Sequence, residues 1–287
     1  MKRILVVGDL TAEIVVSGLS GHPRPGREVF VSNARIEAGG GAARLAGALT
    51  RLGRNVTLVA KVGKDELGDL LLGRLKGKVG NVAASRDPKQ RTSFSVGFAD
   101  DGMSWVTYPG ATAALSTGDL GSVDGRRYRH LHVASPFQLL GLALVPLFQR
   151  AKRAGLTSSL SVGGDPRGRW DLGDLAPNLD LLFLGEPEAK ALGRATRTLA
   201  GEVPIVAVRR GERGAVAMTR SREWKAAGLA AGPVFDAAFL DGWLDGHRVE
   251  QVLAYAVAAS SLSAEQAGQI GGTPTRAQAL HHLGRRV

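Results

Sequence analysis

The chain has 287 residues, 44% hydrophobic and 22% charged, which is the composition of a globular protein long enough to bury a sizeable core. It has no cysteine, which excludes disulfides, thiolate metal sites and thiol nucleophiles and points to a reducing compartment. The 37 Lys and Arg outnumber 26 Asp and Glu for a net charge of +11, which suits anionic small molecules. These cations are scattered and aromatics are few, so no dedicated nucleic-acid surface is expected.

In chain order, MKRILVVGDL offers about four apolar residues before Gly8-Asp9, short of the roughly seven of a secretory leader. The longest apolar stretch, 139–148, holds Gly141 and Pro146 and is too short for a bilayer. A cytoplasmic protein without a membrane segment is the expectation. Short apolar runs at 4–7, 56–62, 130–135, 157–162, 181–184, 204–209 and 215–218 predict strands. Helix-period stripes alternate with them: Ala42, Leu45, Leu49, Leu52; then Leu67, Leu70, Leu71, Leu75; then Leu144, Leu147, Phe148; then Val252, Tyr255, Ala256, Ala259. Such alternation predicts an α/β fold with a mostly parallel sheet flanked by helices on both faces. Two segments break the rhythm, at about 12–36 and 91–108. Both read as antiparallel strands outside the main sheet, the second turning at ADDG, and together they suit a small β lid over the sheet's ligand-binding edge. No repeat or low-complexity linker divides residues 1–287, so one domain is expected.

Three stretches could carry chemistry. EAGGGAARLAGALTRLG (37–53) runs glycines into an amphipathic helix, which serves either a structural turn or a site for anions and hydroxyls. VAVRRGERGAVAM (206–218) reads as strand, turn and strand, a plain hairpin or one lying against a nucleotide. GLAAGPVFDAAFLDGWLDG (228–246) places small residues before a helix, as a phosphate cradle does, yet Pro233 has no N–H to offer and also suits an ordinary helix start.

The order of these segments resembles the ribokinase-like (PfkB) carbohydrate kinase family over nearly the whole length. The resemblance is carried by ILVVGDLTAEIVVSG, HPRPGREVF, EAGGGAARLAGALTRLG, VTLVAKVGKDELGDLLLGRL, VTYPGATAAL, RHLHVASPF, GRWDL, LLFLGEPEA, VAVRRGERGAV, GPVFDAAFLDGWLDG and GGTPTRAQ. It implies a three-layer, Rossmann-like α/β core with a β lid. It also implies phosphoryl transfer from ATP, with Mg²⁺, to a hydroxyl of a sugar or sugar-like alcohol, and dimers made through the lids. In that family the base is the Asp ending a Gly-Ala-Gly-Asp run at a helix start, and the preceding N–H groups form an anion hole. Here Ala230, Ala231 and Gly232 take the anion-hole positions and Pro233 takes the position of the base.

Other departures accompany this one. Glu13 stands for the sugar-binding Asp. Gly39 and Gly40 are kept, and Arg44 replaces the Asn after them. A cation there would suit a phosphate or carboxylate on a ligand. In the Asn-x-x-Glu motif that organises Mg²⁺, Gly185 replaces Asn while Glu188 remains. Arg209, Gly211 and Gly214, with Gly268 and Gly271 of the C-terminal loop, fall where the family holds nucleotide. The interval between AVAMTR and LAAGP is short, as if one strand were missing or distorted. Asp236 is the nearest alternative base, and a capping or solvent-facing role is expected for it. The reading is a kinase homologue that is impaired or inactive and binds a sugar or phosphorylated ligand. The alternative is an active, divergent kinase using Asp236. His281 and His282 read as a solvated helix end.

Overall fold

The computed structural model describes residues 2–21, 24–99, 103–121, 124, 126–165, 171–193, 196–265 and 272–284. The main sheet holds β1 (Arg3–Val7), β4 (Val56–Gly63), β5 (Asn81–Asp87), β8 (Tyr128–Ala134), β9 (Thr157–Ser161) and β10 (Leu181–Gly185), with β11 (Ile205–Arg209), β12 (Ala215–Met218) and β13 (Glu223–Ala226) completing it. Its nine strands run in the order β13-β12-β11-β10-β9-β8-β1-β4-β5. Pairing is parallel from β5 through β11, and antiparallel at β11–β12 and β12–β13. Successive side chains leave a strand on opposite faces, so Ile4 and Val6 enter one core layer and Leu5 and Val7 the other.

Helices cover both faces. On the first lie α1 (Gly41–Arg51), α2 (Glu66–Leu75), α7 (Gly232–Leu244), α8 (Val249–Glu265) and α9 (Arg276–Gly284). On the second lie α4 (Leu144–Arg153) and α6 (Thr196–Glu202), with Ala189 of α5 (Glu186–Ala191) packed against the same layer. A single turn, α3 (Gly110–Ala113), follows the lid. The stripe of α1 buries Ala42, Leu45 and Leu49 as its periodicity predicts. In α2 Leu71 and Leu75 are buried, but Leu70 is 36% exposed: it sits one position round from the buried row, on the edge that faces water.

The lid is a second sheet, β3-β2-β6-β7, formed by β2 (Thr11–Ser17), β3 (Asn33–Gly39), β6 (Phe94–Ala99) and β7 (Met103–Tyr108). Each of the two segments forms the antiparallel pair expected of it, β2–β3 and β6–β7, and the two pairs join through β2 and β6, which run parallel. One expectation is corrected: residues 28–31 are not strand, for pairing with β2 begins at Asn33. The ADDG turn lies partly outside the described residues. The short interval before α7 has not lost its strand: β13 is present, four residues long, and paired with β12.

Candidate functional site

Between lid and core lies a cavity of about 230 Å³, lined by Asp9, Thr11, Glu13, Gly40, Gly41, Ser95, Trp105, Thr107, Gln138 and Gly164. Asp9 follows β1, at the sheet edge where open α/β sheets bind ligands, and faces the start of α1. Its carboxylate accepts the Gly41 N–H at 2.8 Å and the Ala42 N–H at 3.0 Å. Two of the helix's orphan donors are thereby satisfied by a charge that the helix dipole favours. Glu13 Oε1 accepts the Gly40 N–H at 3.1 Å, and its Oε2 is ion-paired to Arg44. Gly40 takes φ +97°, and a Cβ there would lie 2.6 Å from the Asp9 carbonyl oxygen. At Gly39 a Cβ would land on the Glu13 carboxyl group. The glycines thus allow both carboxylates to approach the helix. Burial pulls the Arg44 guanidinium down to about 10, with Asp9 opposing that shift, so it remains a cation at neutral pH.

The second part of the site is the start of α7. Gly232, the first residue of α7, adopts φ +62° and Pro233 follows it. The Ala230 N–H bonds the Gly211 carbonyl at 3.0 Å, and the Ala231 N–H bonds Ser260 Oγ at 2.9 Å. Of the four positions 230–233, three therefore leave no N–H for an anion: two are spent and Pro233 has none. Gly211 pairs back to Ala230 in an isolated bridge, so the turn holding Gly211 and Gly214 packs beside this segment.

Asp236 is 1% exposed, which corrects the expectation of a cap or a solvent-facing side chain. Every residue from Phe235 to Gly242 is buried, because this stretch of α7 runs between the sheet and its neighbouring helices, leaving no wet face at 236. Ser161 of β9 donates to Asp236 Oδ2 at 2.7 Å, and Arg209 of β11 donates to the same oxygen at 2.5 Å. Arg209 also reaches the Gly232 carbonyl at 3.4 Å. Burial pushes the Asp236 carboxyl above its ordinary range; Arg209 and Ser161 oppose this and Glu188 adds to it. Asp236 Oδ1 is buried without a partner.

At β10's end Gly185 leaves a gap that Glu188 fills: a Cβ built on Gly185 would fall on Glu188 Oε2, and that oxygen is buried and unpartnered. These contacts do not fit the triphosphate and Mg²⁺ that the family resemblance implies. Glu188 is folded into the space beside Gly185, and of positions 230–233 only the Gly232 N–H is left to meet an anion. Among the described residues no group of three or more His, Asp or Glu could hold a metal ion.

The fold thus places Glu13 and Gly40 in the cavity wall, with Gly39 against the Glu13 carboxyl group and Arg44 ion-paired to it from behind. It brings Arg209, Gly211, Ala230, Ala231, Gly232, Pro233 and Asp236 together at the start of α7, while Asp236 does not line the cavity. Gly268 and Gly271 lie outside the described residues. Arg44, expected to meet an acidic group on a ligand, meets the acidic group of Glu13 instead, which lies one strand away. Sequence reasoning missed Asp9, Ser161 and Trp105. Asp9 had a signal, an acid closing a buried strand ahead of a glycine-led helix. Ser161 had a weaker one, a hydroxyl in the apolar context of TSSLSV.

Comparison with known proteins agrees with this fold. A family model for pfkB family carbohydrate kinases matches residues 1–276. An ATP-dependent ribose-1-phosphate kinase of Halopiger xanaduensis is 27% identical over 285 residues, covering 93% of this chain and 94% of the relative. The fold is similar to a Methanocaldococcus jannaschii nucleoside kinase of the ribokinase family, with TM-score 0.81, 21% identity and 99% of each chain covered. It is also similar to Arabidopsis thaliana ribokinase complexed with ribose and ATP, with TM-score 0.79, 22% identity and 99% of each chain covered. By sequence, by the order of its motifs and by architecture, the chain belongs to the pfkB family of carbohydrate kinases.

Proposed function

We propose that this chain is a pfkB-family homologue whose ATP-dependent phosphoryl transfer to sugar hydroxyls is impaired or lost, and which keeps the lid cavity as a small-molecule binding site. One observation carries the reading. Asp236, the only carboxylate in the first two turns of α7, is buried and held by Ser161 and Arg209, while Pro233 stands where the family has its base. Loss of a general base removes about 10²–10⁴ in rate, and loss of one anion-hole donor about 10²–10³.

The test is product formation from MgATP with sugars, sugar phosphates and nucleosides, wild type beside Pro233→Asp. The expected result is no enzymatic turnover by wild type and at most a trace by the variant, because Arg209 and Glu188 stay in place. Turnover by wild type at an enzymatic rate overturns the reading. A second reading, a divergent kinase with Asp236 as displaced base, is favoured by the unpartnered Oδ1 and the raised carboxyl. It requires wild-type turnover that Asp236→Asn abolishes.

The reading includes a homodimer through the lid. β7 is an unpaired edge strand with Met103, Trp105 and Val106 exposed, and Trp105 also lines the cavity, so a second copy laid along this edge would wall the same site.

A further inference from the structure

The cavity beneath the lid has a definite charge. Among the described residues lining it, the ionisable groups are the two carboxylates of Asp9 and Glu13. The nearby cation, Arg44, does not line the cavity and is ion-paired through Nη2 to Glu13, its Nε–H being buried without a partner. The polar remainder, Thr11, Ser95, Thr107 and Gln138, suits hydroxyl groups, and Ser95 and Thr107 already share a 2.8 Å hydrogen bond across β6 and β7. Trp105 adds an indole ring from the lid, packed over Gly97, where a Cβ would lie 2.7 Å from the ring. Two acids against one paired cation leave the cavity a net negative charge. The α1 N-terminus, which could have received an anion, is occupied by Asp9 and Glu13 through three N–H bonds. A phosphate entering here would meet carboxylates at the place where helix donors would otherwise greet it. An ammonium group would meet acids and an aromatic face, both of which favour cations.

We infer that the lid cavity selects a polyhydroxylated ligand bearing an amine and rejects a phosphorylated one, with the Glu13–Arg44 ion pair as the selecting element. The inference rests on the reading of this cavity as the ligand site. Arg44 is withheld from incoming anions because Glu13 holds it, and the remaining charge of Asp9 is left to attract the cation.

The test is calorimetric titration of the full chain, without nucleotide, at neutral pH. The probes are ribose, ribose 1-phosphate, 2-amino-2-deoxyribose and the N-acetylated form of that amine. The expected order is amine above ribose above ribose 1-phosphate, with about a tenfold step in Kd for the amine, the size a single favourable charge contact commonly gives. Acetylation should remove that step. Glu13→Gln, checked for folding by its thermal transition, should free Arg44 and lift ribose 1-phosphate above the amine. Binding of ribose 1-phosphate as tight as that of the amine overturns the inference, as does equal binding of amine and ribose, or no measurable binding of the amine. Because no nucleotide is present, these outcomes are separate from loss of kinase activity: turnover in the MgATP assay would sink the proposed function and leave the binding order to stand.

Discussion

At the scale of single residues, the least expected feature is a polar chain inside the sheet. His130 and His132 are fully buried on β8, and Ser159 lies between them at 2.7 Å from each. The direction of this chain follows from its end. Thr157 donates to the Arg129 carbonyl, so it accepts from His130 Nδ1; His130 Nε2 then accepts from Ser159, which accepts in turn from His132 Nδ1. His132 Nε2 is left as a bare, buried lone pair. Burial, helped by Arg209, holds His132 down to about 3, and burial holds His130 well below its ordinary 6.5. The sign is that of a lowered base. The unfolded chain binds the protons first, so this contribution is complete above pH 6.5 and declines as pH falls from there toward 3. Each histidine contributes a slope of about 1.4 kcal/mol per pH unit in that window. His132→Phe, packed beside Phe183, should remove one such proton while Ser159 keeps its bond to His130. Urea unfolding at pH 5 to 6.5 should show the slope reduced by that amount; an unchanged slope would mean His132 is not the group titrating.

Among the elements, α7 is anchored at its far end by charge. Arg54, in the turn between α1 and β4, is ion-paired to Asp241, donates to the Asp241 carbonyl at 2.6 Å and meets Asp245 at 2.7 Å. Arg276 of α9 pairs with the same two acids, and Tyr255 of α8 donates to Asp241 at 3.1 Å. Asp241 and Arg54 are almost fully buried, and removing Arg54 leaves Asp241 with Arg276 and Tyr255 as its partners. Arg54→Met should therefore cost about 1.5–3 kcal/mol, the loss of a buried charge-assisted contact rather than of an ion's last partner; thermal and urea unfolding would measure it. None of this was legible beforehand, since the partners are far apart in sequence and each reads alone as a surface charge. The strands with continuous apolar runs were legible because burial on both faces leaves no other pattern. β5 (NVAASRD) and β13 (EWKA) were not, since each is an edge strand with exposed polar positions that weaken the period.

For the whole molecule, layers and lid followed from the alternation of runs and stripes, and the two places where that rhythm fails are where the second sheet forms. The candidate site was legible as a set of positions because the motifs occur in family order. It was not legible as a set of contacts. Nothing in the spacing of Glu13 and Arg44, or of Arg209 and Asp236, says that each pair would neutralise itself; strand pairing and helix docking decide that. The proposed lid dimer belongs to this scale too. Light scattering should give twice the chain's 30.0 kDa. Val106→Lys, which sets a charge on the exposed edge, should return the monomer; a monomeric wild type would rule the dimer out.

The collapse of Glu188 onto Gly185 has a historical consequence. With the neighbouring side chain gone, the acid has moved into its space, and Arg209 has engaged the buried acid of α7. On the proposed reading, an aspartate restored at 233 alone would find Arg209 already engaged by Asp236, and an asparagine restored at 185 alone would first have to turn the Glu188 carboxylate out of its space. Under that reading a return to catalysis takes paired rather than single substitutions, whereas changes at the lid cavity can accumulate one at a time.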